Sequence, residues 1–308
     1  MPTLAPRFVL LTGTSTGIGR ALALRLASSG FRVLAGVRKG ADGESLKAEG
    51  AKLGVRGQID PVILDVTSEG SMASAMERVR ELAGASGLYA LINNAGVVVP
   101  GPVEFLELSE WRRQFEVNFF GLISLTQRAL PLVREGVRTH GLHVPRVMMI
   151  SSIGGRVAQP IIAPYTCSKW ATTALGESLR MELRRQGVGV TVIEPGAISS
   201  AIWGKGESES SRFGPTHAAR GLYGPEIDGM SKAAAKAAGN ALSAERAAEQ
   251  IERALLARRA PAHVLVGKDA KLAAFFKRFL PYSWFEGVLM REFGIAGLSP
   301  QVPPGSVV

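Results

Sequence analysis

The chain has 308 residues, 46% of them hydrophobic, and a formal net charge of +10. That is enough apolar side chain for a sizeable core in one large α/β domain or two small ones, and it excludes a disordered composition. A single cysteine, Cys167, excludes an intramolecular disulfide and a cysteine-rich metal site. The basic residues are not interleaved with aromatics in a nucleic-acid-binding run, so nucleic acid is not an expected partner.

Phe8-Val9-Leu10-Leu11 is an apolar run that enters a glycine-rich loop, which reads as a first strand and not as the h-region of a secretory signal. From Gly19 to Ser29, leucine and alanine recur at helical spacing. Arg32 to Val37 reads as strand two, and Val62-Ile63-Leu64, ending at Asp65, as strand three. Ser71 to Ala83 is an amphipathic helix, Tyr89 to Ile92 strand four and Val147 to Ile150 strand five. Ser168 to Arg185 is a long helix with Tyr165 at its entry. Val190 to Ile193 is strand six and His263 to Val266 a seventh. Alternation of short apolar runs with helical patterns predicts a parallel sheet with crossover helices, a doubly wound, Rossmann-like α/β fold.

Residues 199–242 are rich in Gly, Ser, Ala and charge without strong periodicity, which suggests a substrate lid or binding loop. Ser243 then restarts a helix. Residues 1–268 are expected to form the catalytic domain and 269–308 an amphipathic extension of it. Within 270–298, Phe, Leu and Trp alternate with Lys271, Lys277, Arg278 and Arg291. Two readings stay open: a helix pair lying on the domain and over its cleft, or a surface making weak membrane contact. No apolar run approaches the ~20 residues that cross a bilayer, and a cytoplasmic protein is expected.

The residues that carry chemistry sit at strand ends. Gly13, Gly17 and Gly19 follow strand one and open a helix, the setting of a dinucleotide turn. Glycines there let backbone N–H groups approach a pyrophosphate that the helix N-terminus favours. The end of strand two reads Gly36-Val37-Arg38-Lys39, with no acid to bond a ribose 2′-hydroxyl. Arg38 therefore favours the 2′-phosphate of NADP(H), with NAD(H) the alternative. Attraction of a phosphorylated cofactor is also one source of the basic balance. Asp65, followed by Val66, either bonds an adenine amino group or caps Thr67-Ser68. Tyr165 and Lys169 are four apart and share a helix face, so the ammonium is expected to favour phenolate and lower the tyrosine pKa. Cys167 is about 200° round the helix from Tyr165 and should point away from it as a small buried apolar residue. His140 and His143 have metal-pair spacing but lie in a glycine-containing loop without an acidic partner, so no metal is expected.

Taken together, these residues resemble the short-chain dehydrogenase/reductases over roughly residues 7–200. Thr12 to Gly19, including Ser15, Thr16 and Ile18, looks like the family's cofactor loop. Asn93-Asn94-Ala95-Gly96 matches its strand-four motif, and Asn118, Ser152, Tyr165 and Lys169 match its catalytic tetrad. Pro195 and Gly196, with Ile198 and Ser200, match the turn that faces the nicotinamide. Ser200 stands where many relatives have threonine. Arg38, the Pro195-Gly196-Ala197-Ile198 run and the long C-terminal extension are similar to the branch of retinol and 17β-hydroxysteroid dehydrogenases.

The resemblance implies an alcohol dehydrogenase or carbonyl reductase. Tyr165 would be the acid in reduction and base in oxidation, Lys169 would tune it and hold the ribose, Ser152 would bond the substrate oxygen, and Asn118 would position a relay water. A lipophilic alcohol or ketone (steroid-, retinoid- or long-chain-like) and a homodimer or homotetramer are expected. A catalytically silent dinucleotide sensor is the rival from another class.

Overall fold

Seven parallel strands lie in the order β3-β2-β1-β4-β5-β6-β7. In the computed structural model the described residues are 6–140, 144–199 and 213–298. The strands are β1 (Phe8–Thr12), β2 (Arg32–Val37), β3 (Gln58–Ile63), β4 (Ala90–Asn93), β5 (Arg146–Ile150), β6 (Gly189–Pro195) and β7 (His263–Val266). β3 starts four residues before the apolar run that marks it in the sequence. It is an edge strand, where Pro61 forfeits no ladder bond on its outer side.

The helices between them are α1 (Gly17–Ser28), α2 (Gly40–Lys52), α3 (Glu69–Ala83), α4 (Leu108–Phe115), α5 (Gly121–His140) and α6 (Ala163–Glu182). After β6 come α7 (Ala219–Gly239) and α8 (Ala244–Leu256), and after β7 come α9 (Lys268–Phe279) and α10 (Tyr282–Glu292).

The five inner strands bury both faces, because successive side chains point to opposite sides and helices cover each, while the edge strands β3 and β7 are only partly buried. Val9 and Leu11 join one core with Leu22 and Leu26 of α1 and Ile251 and Leu255 of α8. Phe8 and Leu10 join the other, with Met72, Met76 and Val79 of α3 and Leu125 and Leu132 of α5. The strand order reverses between β1 and β4. Right-handed crossovers send α1 and α5 to opposite faces there, and a crevice opens beyond the strands' C-terminal ends.

The region expected to be an irregular lid is a helix over Ala219–Gly239, kinked at Tyr223. Its alanines are strong helix formers that leave little hydrophobic signal in the sequence. The predicted helix at Ser243 is present, with the Ser243 hydroxyl accepting from Arg246 N–H. His140 ends α5 instead of lying in a loop, and its ring stands edge-on to Tyr89. His143 lies outside the described residues, as do 200–212 of the expected lid. Among the described residues, no helix is long and apolar enough to cross a membrane.

Candidate active site

β1 ends at Thr12, and the chain turns through Gly13 and Gly17 with φ of +69° and +56°, conformations that side chains rarely adopt. Gly19 is required for a different reason. A Cβ there would fall 2.1 Å from the Gly13 carbonyl oxygen and 2.6 Å from Asn94 Nδ2. The strand-four motif clamps this turn. Asn94 Nδ2 donates to the carbonyls of Thr12 and Gly13 at 2.9 and 3.1 Å. Thr12 Oγ1 accepts from Asn94 and Ala95 N–H, each at 2.9 Å. Asn93 anchors β4 to α5 through Thr126 at 2.9 Å. The N-cap of α1, Thr16, supplies no side-chain bond, and no acid lies in its first turn, so the helix presents its N–H groups and positive end to the crevice.

At the far end of the crevice, Arg38 is exposed beside Asp65. Asp65 takes up the capping alternative: Oδ1 accepts from Thr67 N–H at 2.9 Å and Thr67 Oγ1 at 2.7 Å. Burial works to raise its carboxyl, but those two bonds and the Arg38 charge prevail and hold it below the usual carboxylate range.

Ser152 follows β5. Its Oγ accepts from Gly154 N–H at 3.0 Å and donates toward the Pro195 carbonyl at 3.5 Å. Ser152 Oγ and the Tyr165 ring border the same point, 3.5 and 3.4 Å from where a Cβ on Gly154 would lie, and the Ser152 hydroxyl works to lower the tyrosine pKa. Tyr165 and Lys169 share the inner face of α6 and are both buried. Lys169 Nζ donates to the Ile150 carbonyl at 2.8 Å and lies 5.8 Å from the Tyr165 ring centroid.

The expected electrostatics of this pair are reversed in the protein alone. Burial pushes the Tyr165 phenol up, against the lowering effect of Ser152, and burial pulls the Lys169 ammonium down to about 8. Desolvation dominates both groups. Cys167 does point away from the tyrosine, but it is exposed, because the face opposite Tyr165 is the outer face of α6.

Asn118 sits in a π-helical turn (Glu116–Phe120) between α4 and α5. Its Oδ1 accepts from Val97 N–H at 2.8 Å, and its Nδ2 donates to the Val97 carbonyl at 3.0 Å and to Ser168 Oγ at 3.2 Å. The amide thus pins the chain after β4 to α6, next to the lysine.

The crevice encloses about 280 Å³ and is lined by every predicted site residue except Asn118, which lies behind it, and Ser200, which lies outside the described residues. A second cavity of about 430 Å³ adjoins it, walled by Ile161, Ile162, Phe213, Ile227, Met230 and Phe293 and by the small residues of α7. Val98, Ser152, Tyr165, Gly196 and Ile198 line both spaces. Among the described residues, no group of three or more His, Cys, Asp or Glu could hold a metal ion.

Two positioning contacts escaped the sequence. Asp269, at the start of α9, accepts from Ala197 N–H at 2.6 Å, and its carboxylate fills the space that a side chain on Gly196 would need. Glu194 is fully buried on β6. Arg156 donates to both of its carboxylate oxygens, at 2.5 and 2.8 Å, and His263 Nδ1 lies 3.1 Å from it. The pair ties the Ser152 loop to the Pro195 turn. A glutamate directly after the apolar run Val190 to Ile193, before Pro195, was the available signal, since a buried charge requires a partner.

Fold and crevice define a doubly wound α/β oxidoreductase of the dinucleotide-binding class. A sequence model of the short chain dehydrogenases matches residues 7–210, and the chain belongs to that family. It is 34% identical over 68% of its length to an NADPH-dependent 3-dehydrocapnine reductase of Ornithobacterium rhinotracheale, 72% of which is covered. It is 38% identical over 65% of its length to 17-beta-hydroxysteroid dehydrogenase type 6 of Bos taurus, with 59% of that protein covered, which matches the suspected branch. A solved short-chain dehydrogenase from Streptomyces avermitilis superposes with a TM-score of 0.72 at 26% identity, covering 94% of this chain and 98% of that one.

Proposed function

We propose that this enzyme interconverts a lipophilic alcohol and its ketone or aldehyde with NADP(H), using Tyr165 as general acid in reduction and general base in oxidation. The observation that carries the reading is the shared wall: Ser152 and Tyr165 face both the glycine-turn crevice and the apolar cavity. A carbonyl reaching them from the apolar side meets the cofactor side at the same point.

The crevice suits a dinucleotide, because its close approaches at Gly13 and Gly19 leave backbone N–H groups to meet a pyrophosphate. When bound, the dinucleotide supplies or accepts the hydride. Gly13, Ser15, Thr16, Gly17, Ile18 and Gly19 hold its phosphates, and Asn94, Ala95, Gly96, Asp65 and Val66 its adenosine end. Pro195, Gly196, Ile198 and Ser200 border the nicotinamide end. Arg38 pairs with a 2′-phosphate, which makes NADP(H) the preferred form. A relative is named as NADPH-dependent.

Ser152 donates to the substrate oxygen and orients the Tyr165 hydroxyl, which gives its proton to that oxygen. Lys169 carries its charge below pH about 8 and steadies the phenolate left behind. Asn118 keeps α6 and the segment after β4 in register, so that Lys169 keeps its place.

The cavity supports a lipophilic substrate. Its lining acids are both engaged, Asp269 by Ala197 N–H and Glu292 by Lys236, and among the described residues no lysine or arginine lines it to fix an acid. Pairing of subunits through α5 and α6 is supported by Phe120, Trp170 and Met181, large apolar side chains exposed on that side.

A panel of steroids, retinoids and aliphatic ketones, read by NADPH and NADH absorbance, tests the reading. Turnover of apolar ketones with NADPH is expected. Cofactor binding without turnover of any compound would replace the enzyme by a dinucleotide sensor.

A further inference from the structure

We propose that the hairpin of α9 and α10 is a docking surface for an anionic lipid bilayer. On α9, Leu272, Phe275 and Phe279 fall at i, i+3 and i+7, on one face, and are 56, 55 and 63% exposed. On α10, Trp284 and Val288 fall at i and i+4 and are 70 and 43% exposed. Such a row is larger than a scatter of single surface hydrophobics. Phe285 and Phe293 are buried instead and fix the hairpin to the domain, so its exposed row is not a detached tail.

Charge selects the occupant. Lys268, Lys271, Arg278 and Arg291 are exposed on these helices, whereas Lys277 lies over the rings of Tyr282 and the buried Phe285. Of the acids on the two helices, Asp269 is held by Ala197 N–H and Glu292 is paired with Lys236, which leaves Glu286 against four exposed cations. A second copy of the chain seated on this face would bring like charges together, which opposes association. An acidic bilayer accepts both features at once, with aromatics at the acyl boundary and cations at the headgroups. The chain's net charge of +10 adds long-range attraction to it.

The surface is continuous with the substrate cavity. Glu292, the last residue of α10, and Phe293 after it line that cavity. Docked in this way, the protein takes a lipophilic substrate from the bilayer beside the hairpin. This last step rests on the proposed substrate class; the docking itself does not.

Co-sedimentation of the full chain with vesicles of phosphatidylcholine, alone or with about 30% phosphatidylserine, tests the proposal. Sedimentation with the acidic vesicles is expected, falling as salt rises. Lys271→Gln with Arg278→Gln should lower the partition coefficient about 25-fold, roughly fivefold per cation removed. Phe279→Ser with Trp284→Ser should abolish sedimentation while turnover of a small water-soluble ketone stays unchanged. Wild-type protein that fails to sediment, or a serine variant that sediments as well as wild type, overturns the docking. A dimer in sedimentation velocity that the serine substitutions dissociate, without vesicle binding, overturns it in favour of a second copy. Sedimentation by a protein that turns over no lipophilic ketone upholds the docking and removes the substrate reading.

Discussion

Lys169 is held at a cost to stability, and replacing it by methionine should expose that cost. Met matches the length of the side chain and carries no charge. Burial lowers the Lys169 pKa from 10.5 to about 8. At 1.36 kcal/mol per unit, keeping the ammonium charged in the folded protein costs roughly 3 kcal/mol. The substitution also removes the 2.8 Å bond to the Ile150 carbonyl, a loss of roughly 1–2 kcal/mol. Lys169→Met should therefore stabilise the protein by roughly 1–2 kcal/mol at pH 7 and raise Tm by a few degrees, while removing turnover.

The sign follows from proton counts. Below pH about 8, both folded and unfolded chains hold the proton, and the folded state carries the full penalty. Between about 8 and 10.5 the unfolded chain binds more protons, so wild-type stability climbs with pH relative to the variant. Urea denaturation of both proteins at steps from pH 7 to 10.5 measures this. A variant less stable at pH 7, or a difference that does not change with pH, would refute the reasoning.

Three further outcomes are expected. Tyr165→Phe should lose nearly all turnover while NADPH affinity by fluorescence titration changes little; retained reduction would place the proton donor elsewhere. Arg38→Asp should shift the NADPH-to-NADH ratio of kcat/KM by roughly tenfold or more, the worth of one charge-assisted bond at ~1.5–3 kcal/mol; an unchanged ratio removes Arg38 from phosphate recognition. Glu194→Gln leaves Arg156 without its carboxylate and should cost about 1–3 kcal/mol in urea denaturation, together with a fall in kcat; a variant as stable and active as wild type would show that the Ser152 loop and Pro195 turn hold each other without this pair.

The strands, the glycine turn and the pairing of Tyr165 with Lys169 could be read directly from the chain, because each is a local pattern. Apolar runs alternate with helical periods, Gly17 and Gly19 open α1, and two side chains four apart share one helix face. Tertiary structure alone decided what depends on distant segments meeting. Asp269 reaches Ala197 across 72 residues, and Glu194 reaches Arg156 across 38. The apolar cavity exists only because α7, whose alanines give almost no hydrophobic signal, lies over β5 and β6 loops that also carry Ser152 and Gly196. Even the Tyr165–Lys169 pair, legible as a motif, takes its electrostatics from burial by the rest of the fold. Spacing along a helix fixes which groups are neighbours, and only the surrounding packing fixes how much water each one loses.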